Sequence, residues 1–364
     1  MKINLFNDDC LNVLKTMKDN SIDSCVTDPP YGLSFMNKSW DYDVPKTEIW
    51  KEVYRVLKPG AHILAFFGSR TYHRGAVQIE DAGFEIRDQI MWLYGSGFPK
   101  SHNIGKAIDK DMGTVYPKNT VISDNNSMSS KNYTRHTIEI QNELAKQWDG
   151  WGTALKPAHE PIVVARKPLS EKTVAKNVLE YGTGALNIDE CRVLRMHDSE
   201  VIEKKKKESA EKVAIAEELG RWPANVIHDG SDEVVSKFPN SKSGKSNGNA
   251  QAGITGNVTP MRRGTLIPRN DSGSASRFFY CAKASKSDRE DGNNHPTVKP
   301  TELMKYLCRL ITPPNGIVLD PFMGSGSTGK AALQEGFKFV GIEMNKEYYE
   351  IAQNRLSSLD NFLE

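Results

Sequence analysis

The residues best suited to chemistry lie near the two ends of the chain. Asp28-Pro29-Pro30-Tyr31 stands early, and Asp320-Pro321-Phe322-Met323-Gly324-Ser325-Gly326-Ser327-Thr328-Gly329 stands late. The first is a rigid, kinked strand end carrying one carboxylate and one aromatic ring. An amino group on a planar base is a poor nucleophile, because its lone pair is delocalised into the ring. The Asp28 carboxylate and the Pro29 carbonyl can accept its two hydrogens and draw the nitrogen towards a tetrahedral, attacking geometry. Proline removes a competing backbone donor and fixes φ, so the acceptors stay aimed. Tyr31 offers a face on which the base can stack. The competing reading is an aspartate that caps a turn, stiffened by prolines and followed by a packed tyrosine.

The late segment fits Gly-x-Gly-x-x-Gly at Gly324, Gly326 and Gly329, and Glu343 follows at the distance of a ribose-binding carboxylate. It also approaches a phosphate loop, with Lys330 after Gly329, but Ala331 stands where that loop needs a hydroxyl for magnesium. A nicotinamide or flavin oxidoreductase would use the same glycines, so they leave the cofactor open beyond an adenosine that approaches the backbone closely. Paired with Asp28 to Tyr31, they argue for transfer of a group onto the exocyclic nitrogen of a nucleobase.

Strands and helices must alternate to hold two such segments together. Apolar runs predict strands over 3–6, 22–26, 62–67, 84–93, 160–166, 316–319 and 337–342. Helical spacing covers 10–17, 47–57, 72–82, 302–310, 328–334 and 346–356. Strands separated by helices imply a mostly parallel sheet. Residues 95–157 have no strong period, and the polar stretch 118–131 reads as loop. Residues 201–219 read as a solvated, charge-paired helix, and 241–259, rich in Gly, Ser and Asn, cannot bury a core.

The 364 residues suffice for one large domain or two ordinary ones. No apolar run is long enough for a membrane span, and no signal segment opens the sequence. Five cysteines without a Cys-x-x-Cys pair read as reduced intracellular thiols and argue against a zinc site. The net charge is only +2, yet residues 236–286 hold nine basic residues against one acid. Such a patch is the footprint of a phosphate-backbone partner, with a solvated surface loop as the alternative. Lys242, Lys245, Arg262, Arg263 and Arg269 are its candidate phosphate contacts.

These segments, in this order, resemble the S-adenosylmethionine-dependent DNA amino-methyltransferases of the permuted β class, including phage and prophage members. Residues 7–10 resemble the family's opening strand end, 54–60 its helix-to-strand connection, and His295-Pro296-Thr297-Val298-Lys299-Pro300 the segment before the cofactor strand. The resemblance implies a class I, Rossmann-like α/β fold, circularly permuted. Its seven-stranded, mostly parallel, doubly wound sheet would carry an inserted target-recognition region. The catalytic half would span 1–95, an insertion 96–159, the last sheet strand 160–168, the DNA-binding region 169–290 and the cofactor half 291–364. It implies catalysis by Asp28, Pro29, Pro30 and Tyr31. Asp8, Asp9, Thr297, Lys299, Asp320, Phe322, Gly324, Ser325, Gly326, Thr328 and Glu343 would bind S-adenosylmethionine, with Lys299 in the segment that contacts the methionine carboxylate. No metal is implied.

In the family that the sequence resembles, Asp at the position of Asp28 is associated with adenine N6 and Ser with cytosine N4, and the target base would be flipped out of duplex DNA. Homodimerisation, a cognate restriction endonuclease and the cytoplasm of a bacterium or phage-infected host complete what the resemblance implies.

Overall fold

The computed structural model describes residues 2–33, 41–99, 101–115, 139–193, 220–242, 272–283, 285, 288–290 and 292–360. The stretches expected as polar loop (118–131) and charged helix (201–219) lie outside them, as does 243–259. Two compact units form, Met1–Gly95 with His159–Glu364, and Ser96–Ala158.

In chain order the elements are β1 (Ile3–Phe6), α1 (Cys10–Thr16), β2 (Ile22–Thr27), α2 (Thr47–Val56), β3 (Leu57–Phe66), α3 (Tyr72–Asp81) and β4 (Glu85–Leu93). Then come α4 (Ile104–Asp111), α5 (Glu143–Lys146), β5 (His159–Arg166), α6 (Val174–Tyr181), β6 (Val226–His228), α7 (Asp232–Val235), β7 (Asn240–Lys242), β8 (Ser272–Ser274) and β9 (Tyr280–Cys281). The chain ends with α8 (Thr301–Ile311), β10 (Ile317–Asp320), α9 (Ser327–Gln334), β11 (Lys338–Ile342) and α10 (Lys346–Asp360).

The main sheet runs β1-β11-β10-β2-β3-β5-β4-β6-β9. All pairs are parallel except the two made by β5, which runs antiparallel to β3 and β4. The α/β class and the permutation are as expected, since β10 and β11, last in sequence, sit between β1 and β2. The strand count is corrected from seven to nine. The two additions, β6 and β9, have three and two residues, too short to show a period, and they exist because β4 offers an open edge.

Alternation along the central strands explains the two-sided burial. Val26, Leu64, Phe66 and Val318 face one apolar layer, completed by Leu303 and Leu307 of α8. Cys25, Ile63, Ala65 and Leu319 face the other, completed by Leu14, Trp50 and Val53. β2 is buried along its whole length, as a central parallel strand must be. Fully burying a leucine such as Leu303 contributes about 2 kcal/mol. Gly329 lets α9 lie close on β11, since a Cβ there would stand 2.6 Å from the Phe339 ring.

The unit 96–158, where the sequence shows no strong period, holds α4 and α5 among its described residues. Buried Asp109 accepts the N–H groups of Gln141 and Asn142 at 3.1 and 2.9 Å. Trp148 and Trp151 meet edge to face at 5.2 Å. The helices escaped notice because polar residues dominate them and the buried positions of α4 are Gly105 and Asp109, which carry no apolar period.

Candidate active site

Parallel pairing brings the C-terminal ends of β1, β11, β10 and β2 to one edge of the sheet, where open α/β sheets bind their ligands. Asp8, Glu343, Phe322 and Asp28 follow those four ends. The two chemically suggestive segments, almost three hundred residues apart in sequence, thereby become neighbours: Thr27 Oγ1 donates to Asp320 Oδ1 at 2.6 Å.

Asp320 is buried beneath the glycine loop. It also accepts the Thr328 hydroxyl at 2.6 Å and the Phe322 N–H at 3.1 Å. Burial pushes its carboxyl up to about 6 despite these three donors. Gly324 and Gly326 have φ of +50° and +82°, the left-handed region, which brings the turn around without a side chain. A Cβ on Gly324 would lie 2.8 Å from His295 Nε2, so the absent side chain lets the His295 ring pack against the turn. Glu343 Oε2 accepts the Gly324 N–H at 3.0 Å, and Oε1 accepts the Asn345 N–H at 2.7 Å. Burial raises its pKa, against the pull of those N–H groups.

Ser325 is buried and turns inward. Its hydroxyl accepts from Asn293 Nδ2 and Arg355 at 3.2 Å each, and its carbonyl accepts from Arg355. Asp320, Ser325 and Thr328, expected at the cofactor, thus support the loop from below. Phe322 sits 6.2 Å from the Trp50 ring. Asp9 caps α1 through the Leu11 N–H at 2.9 Å, and exposed Asp8 accepts from Asn12 at 3.3 Å. Thr297 is exposed, its N–H directed at His295 Nδ1 at 3.3 Å.

At the other side of the edge, Pro29 is buried and Pro30 half-buried. Tyr31 Oη stands 2.7 Å from Asp28 Oδ1 and 3.1 Å from Glu160 Oε2, so its single proton goes to the nearer Asp28. Burial, then the Asp28 and Glu160 charges, raises the phenol well above its usual range. Lys299, expected in the segment at the cofactor, reaches the Asp28 carboxylate. Its Nζ lies 2.7 Å from Asp28 Oδ2, 3.2 Å from Tyr31 Oη and 3.2 Å from Glu160 Oε2. Burial alone would lower the ammonium pKa, and the two carboxylates more than offset it.

The turn itself is held by buried Asp41. Its Oδ1 accepts the N–H groups of Tyr31 and Gly32 at 2.6 and 3.0 Å, and its Oδ2 that of Leu33 at 3.2 Å. Asp41 and Glu160 were not among the residues expected at the site, and His295 was read only as part of the segment before the cofactor strand. Lys242 is exposed at the end of β7, while Lys245, Arg262, Arg263 and Arg269 lie outside the described residues. Among the described residues no helix is long and apolar enough to cross a membrane.

The residues present fit an adenosine cofactor: a left-handed glycine turn at the strand ends, a carboxylate beside it and a buried aspartate setting the loop. A family profile described as DNA methylase matches residues 22–354. The chain is 23% identical to the type II methyltransferase M.HindIII of Haemophilus influenzae, over 97% of this chain and 94% of that protein. It is 42% identical to the DNA adenine methyltransferase YhdJ of Escherichia coli over 73 residues, 20% of this chain and 25% of that one. The solved cytosine-N4-specific PvuII DNA methyltransferase is 14% identical with a TM-score of 0.46, covering 99% of this chain and 91% of that one. The family match sets aside the nicotinamide reading of the glycine loop: this chain belongs to the N6/N4 DNA methylase family and is an S-adenosylmethionine-dependent DNA methyltransferase.

Proposed function

We propose that the chain methylates adenine N6 in double-stranded DNA. The observation that carries this reading is the Asp28 carboxylate, fixed at the end of β2 beside the glycine loop by Tyr31 and Lys299. Each of its oxygens keeps a lone pair for a target amine. S-adenosylmethionine, held by the 322–326 turn and Glu343, supplies an electrophilic methyl group on a sulfonium. Asp28 and the Pro29 carbonyl accept the two amine hydrogens and localise the nitrogen lone pair. Tyr31 stacks on the flipped base, and Asp28 takes the proton that the nitrogen sheds. The nitrogen itself attacks, so no cysteine nucleophile is needed.

Adenine is favoured over cytosine by the aspartate at the first position of the Asp-Pro-Pro-Tyr segment, a family tendency. The similarity to an adenine methyltransferase over 73 residues points the same way. The basic stretch 236–286 is assigned to DNA phosphates, whose contacts release counterions and make binding salt-dependent.

The test is incubation of unmethylated DNA with the enzyme and labelled donor, followed by nucleoside mass spectrometry. N6-methyladenine is expected; N4-methylcytosine as sole product would move the substrate to cytosine. Asp28→Ala should abolish transfer while S-adenosylhomocysteine affinity stays within about tenfold, roughly 1.4 kcal/mol, by calorimetry. Near-parental turnover in that variant would remove Asp28 from the catalytic role.

A further inference from the structure

We infer that Glu160 and Lys299 form a positioning pair for Asp28, in which Glu160 divides the lysine's charge and so keeps Asp28 a strong acceptor for the target amine. The inference rests on the methyltransferase reading above.

Lys299 has three N–H bonds, and three oxygens surround its Nζ: Asp28 Oδ2 at 2.7 Å, Tyr31 Oη at 3.2 Å and Glu160 Oε2 at 3.2 Å. Its side chain is 8% exposed, and the Phe66 ring lies 5.0 Å from the ammonium. In this arrangement the lysine has no donor left for a cofactor carboxylate. Its charge is committed to the catalytic side of the sheet edge.

A lone buried Lys–Asp pair would neutralise Asp28 and draw its electron density away from substrate. Two carboxylates on one ammonium leave a local charge of −1, so Asp28 is oriented by Lys299 without being fully neutralised by it. Glu160 also sets the tyrosine. With Lys299 donating to the Tyr31 oxygen, and Glu160 accepting from Lys299, the phenol proton is directed to Asp28 Oδ1. The catalytic carboxylate is then fixed at both oxygens.

The topology makes this possible. β5 runs antiparallel against β3, two strands from β2, and Glu160 stands near its start, opposite Trp92 of β4. Lys299 approaches from the segment just before α8. Three separate chain regions, 28–31, the start of β5 and the segment before α8, meet at the Lys299 ammonium, which a packing role alone does not require. Glu160, with a side chain 20% exposed, touches neither the glycine loop nor Glu343 in any described hydrogen bond.

The experiment uses the full chain, unmethylated plasmid DNA and tritiated S-adenosylmethionine. Glu160→Gln keeps size and an acceptor oxygen but removes the charge. It should lower kcat at least tenfold, while KM for plasmid and Kd for S-adenosylhomocysteine change less than about twofold. Glu160→Asp should recover part of the rate. Because Glu160 acts through Lys299, combining Glu160→Gln with Lys299→Met should cost no more than Lys299→Met alone.

Thermal unfolding and S-adenosylhomocysteine binding of each variant establish that it is folded. Parental kcat in Glu160→Gln, or additive losses in the double variant, would overturn the assignment. A fall in cofactor affinity that matches the fall in rate would also overturn it, by placing the pair at the cofactor. A parent chain that labels no DNA would instead sink the underlying reading of function.

Discussion

Glu343 joins two backbone segments through one carboxylate, and this fixes what its loss should do. It holds the Gly324 N–H and the Asn345 N–H, so Glu343→Ala removes a ribose acceptor and frees the glycine turn together. We expect S-adenosylhomocysteine binding to weaken by about 1.5–3 kcal/mol, the worth of a charge-assisted bond. Glu343→Gln should lose less, because it keeps an acceptor for Gly324. Calorimetry on both variants checks the order, and equal losses would show that charge alone matters. Glu343 was legible in the sequence because a fixed separation ties it to the glycines along one strand–turn–helix–strand unit. Glu160 was not, because only the pairing of β5 into the sheet brings it to Asp28, 132 positions away. Asp41 was equally hidden, since an aspartate that accepts three N–H groups of an earlier turn has no characteristic spacing. Lys299 was seen as a residue type in a known segment, but its partner could be named only from the geometry.

Among the elements, α9 and its two flanking glycines allow conformational cost to be separated from crowding. Gly326 and Gly336 both have φ of +82°, before and after the helix. Around Gly336 a Cβ would meet nothing within 4 Å, whereas at Gly326 it would lie 3.2 Å from Ala352 Cβ and 3.3 Å from Leu356 Cδ1. Gly336→Ala should therefore cost only the left-handed penalty, about 1–2 kcal/mol, and leave cofactor binding alone. Gly326→Ala should cost more and also weaken S-adenosylhomocysteine binding, because α10 must give way or the turn must move. Denaturant midpoints with calorimetry distinguish the two, and equal effects would mean the loop is not shaped by α10. The same elements show which parts of the chain announce themselves. The strands β3, β10 and β11 were readable because covered faces favour apolar runs, whereas β2 also buries Asp23, Ser24 and Thr27. The short β6 and β9 draw their existence from the edge of β4, a property of the sheet with no trace in five residues.

For the whole molecule, the permuted strand order was readable because the two motifs occur in the order of the permuted class that the sequence resembles, in which the sheet's first strands come last. The ionisation of buried groups was not readable, because it depends on depth. His62 lies in β3 opposite Arg166, and burial, helped by Arg166 and Arg87, pushes it down to about 4. His295, between Gly324 and Tyr348, is likewise pushed to about 4, chiefly by burial. For a histidine depressed from 6.5, the unfolded chain binds the extra proton. Its stabilising contribution is complete above 6.5 and is lost as pH falls towards 4. Asp320 works in the opposite sense. Raised from 3.8 to about 6, it stabilises most below 3.8 and loses that contribution as pH rises through 6. Between pH 7.5 and 5 the two histidines should cost about 2 kcal/mol each, and Asp320 should return about 1 kcal/mol. From these three groups alone the net is a loss of about 3 kcal/mol on acidification, before most surface carboxylates titrate. Urea midpoints across this range measure it directly. His62→Gln should remove about 2 kcal/mol of the slope, whereas Asp320→Asn should steepen it by removing the opposing group. A parental curve that is flat, or a slope that survives His62→Gln unchanged, would show that His62 reaches solvent and titrates as it does in the unfolded chain.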